Sequence, residues 1–137
     1  MTRILIVEDD AVLRASLAAS LADEYIVHSE ACGNAAVQFL RHQAVDVVLL
    51  DILMDDGDGF FVLSRMPGLA PAARVLVVTG VADVAKATKA MQLGAHNYLV
   101  KPVSLYAVKE SLRQLVAMNA HESTCTGRRG LLAVACR

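Results

Sequence analysis

The sequence predicts an α/β domain built as a doubly wound parallel sheet with helices on both faces. Short apolar runs alternate with helix-periodic segments five times, with brief connections between them. The runs are also continuous rather than alternating. Val47, Val48, Leu49 and Leu50 stand between Asp46 and Asp51, the pattern of a strand buried on both faces. Composition agrees: the chain is 55% hydrophobic but only 4% aromatic, so the core must be Val, Leu, Ala and Ile.

The elements follow in order. Arg3–Val7 reads as a strand, stopped by Glu8, Asp9 and Asp10. Residues 11–22 form a helix, because Leu13, Leu17 and Leu21 recur on one face and Asp10 is placed to cap it. A weaker strand is expected at 25–29. A helix follows at 34–42, with Val37 and Leu40 on one side and Asn34 as a candidate cap. The central strand covers 45–51. A short helix over 59–66 is expected to end at Pro67 and Gly68. Arg74–Thr79 is a buried strand, 83–93 a helix with Gly94 at its exit, and 96–100 a fifth strand before Lys101 and Pro102. The last helix spans 104–118, where Leu105, Val108, Leu112, Leu115 and Val116 share a face.

These boundaries give a domain at 1–118 and a tail at 119–137, expected to be flexible or the start of a linker, because the periodicity stops at Met118. A length of 137 residues fits one domain with its own core. The net charge of −1 provides no field for nucleic acid or a membrane surface. No apolar run is long enough to cross a bilayer. The start of the chain lacks a signal-peptide layout, and three cysteines without a CxxC pair read as free thiols. A cytoplasmic location is the expectation.

In a parallel sheet the C-terminal ends of the strands share one edge, where ligands bind. Glu8 and Asp9, Asp51, Thr79 and Lys101 all stand at such ends. Clustered carboxylates repel, and a hard divalent cation relieves the repulsion. An oxygen-only set with few protein ligands favours Mg²⁺, which binds alongside phosphate. Asp51 is then a nucleophile toward phosphorus. Thr79 and Lys101 offer a hydroxyl and an ammonium to phosphoryl oxygens. Taken singly, each residue has a plainer reading as cap, turn or solvated lysine, and their joint placement favours chemistry. His28, His42, His96 and His121 show no metal-ligand spacing.

The stretches from Ile4 to Asp10, Leu49-Leu50-Asp51 with Asp58-Gly59, Val78-Thr79-Gly80, and Gly94 to Pro102 together resemble the receiver domain of bacterial two-component response regulators. The resemblance covers residues 2 to about 118. It implies a flavodoxin-like (βα)₅ receiver fold with strand order 2-1-3-4-5. Asp51 would accept a phosphoryl group from a histidine kinase or phosphotransfer protein. Glu8, Asp9, Asp51 and the backbone carbonyl of Leu53 would hold Mg²⁺, and Thr79 and Lys101 would bind the phosphoryl oxygens. Tyr98 would be a rotameric switch moving with Thr79, and Lys101–Pro102 a cis peptide. The signal would emerge on the fourth helix, fifth strand and fifth helix, toward an output domain or partner protein. Position 55 holds Asp where the family usually has Pro.

A small Asp-dependent phosphatase or phosphotransferase on the same sheet is the alternative. That class usually carries a second Asp two residues after the nucleophile, where Leu53 stands here. A flavodoxin-like redox module would need a phosphate-binding loop after the first strand, and none is present. A scaffold that no longer takes phosphate would not need the full set of acids, Thr and Lys. The side chains expected to flank an attacking water, Leu53 and Val81, cannot hydrogen-bond, which predicts slow loss of the phosphoryl group.

Overall fold

The computed structural model describes residues 1–54, 59–80 and 83–125, with side chains described as far as Met118. The elements alternate as β1 Arg3–Val7, α1 Ala11–Leu21, β2 Ile26–Glu30, α2 Gly33–His42 and β3 Val47–Leu50. They continue as α3 Gly59–Leu69, β4 Arg74–Thr79, α4 Val84–Gln92, β5 Asn97–Val100 and α5 Leu105–Cys125. The five strands pair in parallel in the order β2-β1-β3-β4-β5. Register is set by Ile4 opposite Val47 and by Val48 opposite Val75.

The sheet is covered twice, and the alternation of side chains along each strand divides the core. Leu5, Val7, Val48, Leu50, Val75 and Val77 pack beneath α2, α3 and α4. Ile4, Ile6, Val47, Leu49, Leu76 and Val78 pack beneath α1 and α5, against Leu21, Val108, Leu112 and Leu115. This explains why Ile4 to Val7 of β1 and Val47 to Leu50 of β3 carry no polar residue on either face.

Some boundaries differ from the sequence reading. Asn34 is not the cap of α2: Cys32 is in extended conformation at the cap position, makes no side-chain bond there, and Gly33 already belongs to the helix. Pro67 does not end α3, which runs on to Leu69. Proline costs the bond its missing N–H would make to the preceding turn. Here only the last turn follows it, and the Met66 carbonyl still accepts the Ala70 N–H at 2.8 Å. Helix α5 continues to Cys125, past the end of its apolar periodicity at Met118, through a stretch without Gly or Pro. Other expectations hold locally. Asp10 Oδ1 accepts from the N–H groups of Val12 and Leu13, whereas Asp83, read from the sequence as the first residue of its helix, is instead the cap of α4 and accepts in the same way. Gly94, at φ +113°, turns the chain from α4 into β5.

Candidate functional site

The ends of β1, β3, β4 and β5 converge as the parallel order requires. Glu8 and Asp51 are 3% and 4% exposed, unusual values for carboxylates. One ligand oxygen from each of Glu8, Asp9 and Asp51 lies within 4.8 Å of the others. The Lys101 ammonium donates to Glu8 Oε1 at 2.6 Å and to Asp51 Oδ2 at 3.0 Å. The other oxygen of Asp51 accepts the Leu53 N–H at 2.9 Å, so the carboxylate is held at both ends.

Each of these positions has a local cause. Asp51 follows β3 directly, and its own N–H donates to the Val7 carbonyl. Lys101 is carried to the edge by its backbone N–H, which bonds the Thr79 carbonyl at 2.8 Å. The Lys101–Pro102 peptide is cis. Gly59 opens α3 against the back of the same loop. A Cβ there would lie 2.5 Å from the Asp51 carbonyl oxygen and 2.7 Å from Ile52 Cα, so only glycine permits the approach.

Burial is the largest influence on Glu8 and raises its pKa. The neighbouring Asp51 charge adds to this, and bonds from Lys101 and the Asp10 N–H partly oppose it. Burial also disfavours the Lys101 ammonium, but its bonds and attraction to Glu8 and Asp51 prevail and raise its pKa. Thr79 is fully buried, and its hydroxyl has no hydrogen-bond partner among the described residues. A hydroxyl left so costs about 1–3 kcal/mol. Tyr98 lies half-buried on β5 against the core. Burial raises its pKa, and the charges of Asp83 and Asp51 raise it further.

The structure therefore brings together Glu8, Asp9, Asp51 and Lys101, with Thr79 adjoining Lys101 through the backbone and Tyr98 within electrostatic reach of Asp51. Leu53 is 57% exposed at the mouth. Asp55, Asp56, Asp58 and Val81 lie outside the described residues. Sequence reasoning gave no separate role to Gly59 or Arg14. Gly59 had a signal, a glycine opening a helix close after the acid. Arg14 looks like any charged residue on an exposed helix face.

The family model for the response regulator receiver domain matches residues 4–113. The chain belongs to this family. Among curated relatives, this receiver domain is 38% identical over 122 residues to the alginate biosynthesis transcriptional regulatory protein AlgB of Pseudomonas aeruginosa, covering 84% of this chain and 27% of AlgB. It is 34% identical over 115 residues to the transcriptional regulatory protein ZraR of Escherichia coli, covering 83% of this chain and 26% of ZraR. The chain spans about a quarter of the length of each of these relatives. Among solved structures, the CheY-like receiver domain protein of Methanospirillum hungatei superposes with a TM-score of 0.86 at 26% identity, covering 89% of this chain and 98% of that one. A Burkholderia pseudomallei response regulator, solved with a phosphorylated aspartic acid, a calcium ion and citrate, superposes with a TM-score of 0.77 at 27% identity. That match covers 93% of this chain and 73% of the other. Membership in the family disfavours the phosphatase alternative. No helix among the described residues is long and apolar enough to cross a membrane.

Proposed function

We propose that Asp51 is the phosphoacceptor of this receiver domain and that the chain works as a phosphorylation-controlled switch rather than as a turnover enzyme. The observation that carries the reading is the buried Asp51 carboxylate, held by the Leu53 N–H and the Lys101 ammonium beside two further acids. A carboxylate oxygen of Asp51 attacks phosphorus in line with the departing imidazole nitrogen of a phosphohistidine on a kinase or phosphotransfer protein. The P–N bond breaks as the O–P bond forms. Lys101 and the Thr79 hydroxyl take up the phosphoryl oxygens, which supplies Thr79 with its partner.

Glu8, Asp9 and Asp51 form an oxygen-only set suited to Mg²⁺, to which the Leu53 carbonyl would add a fourth ligand. When bound, Mg²⁺ neutralises charge on the carboxylates and on the transferred group. Tyr98 and Thr79 then settle inward together, and α4, β5 and the start of α5 carry the change to an output domain or partner protein. The setting is the cytoplasm. Of the tail 119–137, residues 119–125 continue α5 and 126–137 lie outside the described residues; its role would be the start of a linker.

The test is phosphorylation by a small phosphodonor with Mg²⁺, followed by intact mass. Wild type gains one phosphoryl group, Asp51→Asn gains none, and Asp9→Ala loses the Mg²⁺-dependent reaction while keeping its fold. An Asp9→Ala variant that reacts at the wild-type rate would show that the metal set is wrongly assigned.

A further inference from the structure

Three successive carbonyls, those of Glu8, Asp9 and Asp10, face a single residue. The Arg14 guanidinium donates through Nη1 to the Glu8 carbonyl at 2.8 Å and reaches the Asp9 carbonyl at 3.5 Å. The backbone N–H of Arg14 donates to the Asp10 carbonyl at 2.9 Å. The turn is gripped from its other side as well. The Asp10 N–H bonds Glu8 Oε2 at 3.2 Å, and the Glu8 N–H bonds the Glu30 carbonyl at 3.1 Å.

We propose that Arg14 is a positioning residue of the phosphoacceptor site, clamping the acidic turn so that the Glu8 and Asp9 carboxylates converge on Asp51. The proposal rests on the reading of Glu8, Asp9 and Asp51 as metal ligands. The physical reason is charge repulsion at the turn. Residues 8–10 leave β1 and must aim two like charges at a third, a conformation that their mutual repulsion opposes. A turn of three ionised acids has no side-chain donor of its own to offer these carbonyls. A guanidinium is suited to this task, because its planar donors meet neighbouring oxygens in a fixed geometry that an ammonium cannot copy. Arg14 is the fourth residue of α1, about one turn into the helix that Asp10 caps. The clamp and the cap therefore anchor the turn to the same rigid element. Arg14 bonds backbone oxygens there rather than a carboxylate of the site, so its action on the reaction is indirect.

The experiment compares wild type, Arg14→Ala, Arg14→Gln and Arg14→Lys as full chains by two readouts. The first is an NMR titration of the labelled protein with MgCl₂, following the amides of Glu8, Asp9 and Asp51. Loss of a residue that orients metal ligands typically weakens binding about ten-fold or more. Arg14→Ala should show that loss, and Arg14→Lys should recover part of it. The second is amide hydrogen exchange without metal. Exchange over residues 9–13 should quicken in Arg14→Ala while β3 is unchanged. Wild-type Mg²⁺ affinity together with wild-type exchange in Arg14→Ala overturns the proposal. Faster exchange spread through β1 and β3 also overturns it, since that marks a general structural role. If wild type itself shows no Mg²⁺ shifts at the three acids, the metal reading fails, and the exchange comparison alone still decides the clamp. Should Arg14→Ala not fold, Arg14→Gln and Arg14→Lys supply the same comparison.

Discussion

Strands β1 and β3 bury every residue from Ile4 to Val7 and from Val47 to Leu50, whereas β5 buries none of its four residues and ends in an exposed Val100. Helix α4 beside it buries only Ala90, and Val84 at its start is 83% exposed. One tie from this flank to the rest is the Lys89 ammonium, 4.3 Å above the ring of Phe60 on α3. The two regions share one sheet edge but differ in how firmly they are held. Carboxylates at the end of a close-packed centre keep their geometry, which phosphoryl chemistry needs. A flank with little buried apolar surface has a low cost of local rearrangement, which a switch needs. On the proposed function, charge would arrive at the centre and movement would occur at the flank.

The largest effect should come from unequal truncations. Leu50→Ala, at a fully buried site, should destabilise the domain by about 2–5 kcal/mol. Val84→Ala should change stability by about 0.5 kcal/mol or less. Urea unfolding of both variants checks this, and equal losses would break the comparison.

The same contrast explains what could be read in advance. The central strands were legible because continuous Val, Leu and Ile runs have one reading, a strand covered on both faces. Asp51 and Lys101 were legible because they stand directly at strand ends. Elements held by less specific signals were not. At the start of α2, Asn34 is the better capping residue by type, yet Gly33 enters the helix first. At Pro67 the rule that proline breaks helices depends on how many turns follow it, which packing decides. The close approach of Gly59 to Asp51 and the reach of Arg14 to Glu8 depend on loops folding back in space, and spacing along the chain does not encode distance.

Lifetime of the phosphoryl group should give the next effect. Leu53 donates its backbone N–H to Asp51 while its apolar side chain stands at the open mouth, where it cannot orient a water. Leu53→Asn combined with Val81→Glu should speed loss of phosphate by about ten-fold, since positioning of an attacking group is worth that much. The rate is followed by intact mass after removal of the phosphodonor. A double variant that decays no faster than wild type would show that water access is governed elsewhere.

A smaller effect concerns pH. Lys101 has a folded-state pKa above its ordinary 10.5, so it binds its proton more tightly folded than unfolded. Its contribution is fully present below 10.5 and is lost as pH rises through the folded value. Thermal unfolding across this alkaline range should show wild type losing stability that Lys101→Met lacks from the outset. Parallel curves for the two proteins would place the bond energy outside the Lys101 bridge.

The central claim is tested most directly by amide NMR of the labelled chain before and after phosphorylation. Shifts are predicted around Asp51 and, at comparable size, through α4, β5 and the first turn of α5, with the middle of β1 and β3 unchanged. Shifts confined to the residues adjoining Asp51, with α4 and β5 silent, would contradict it.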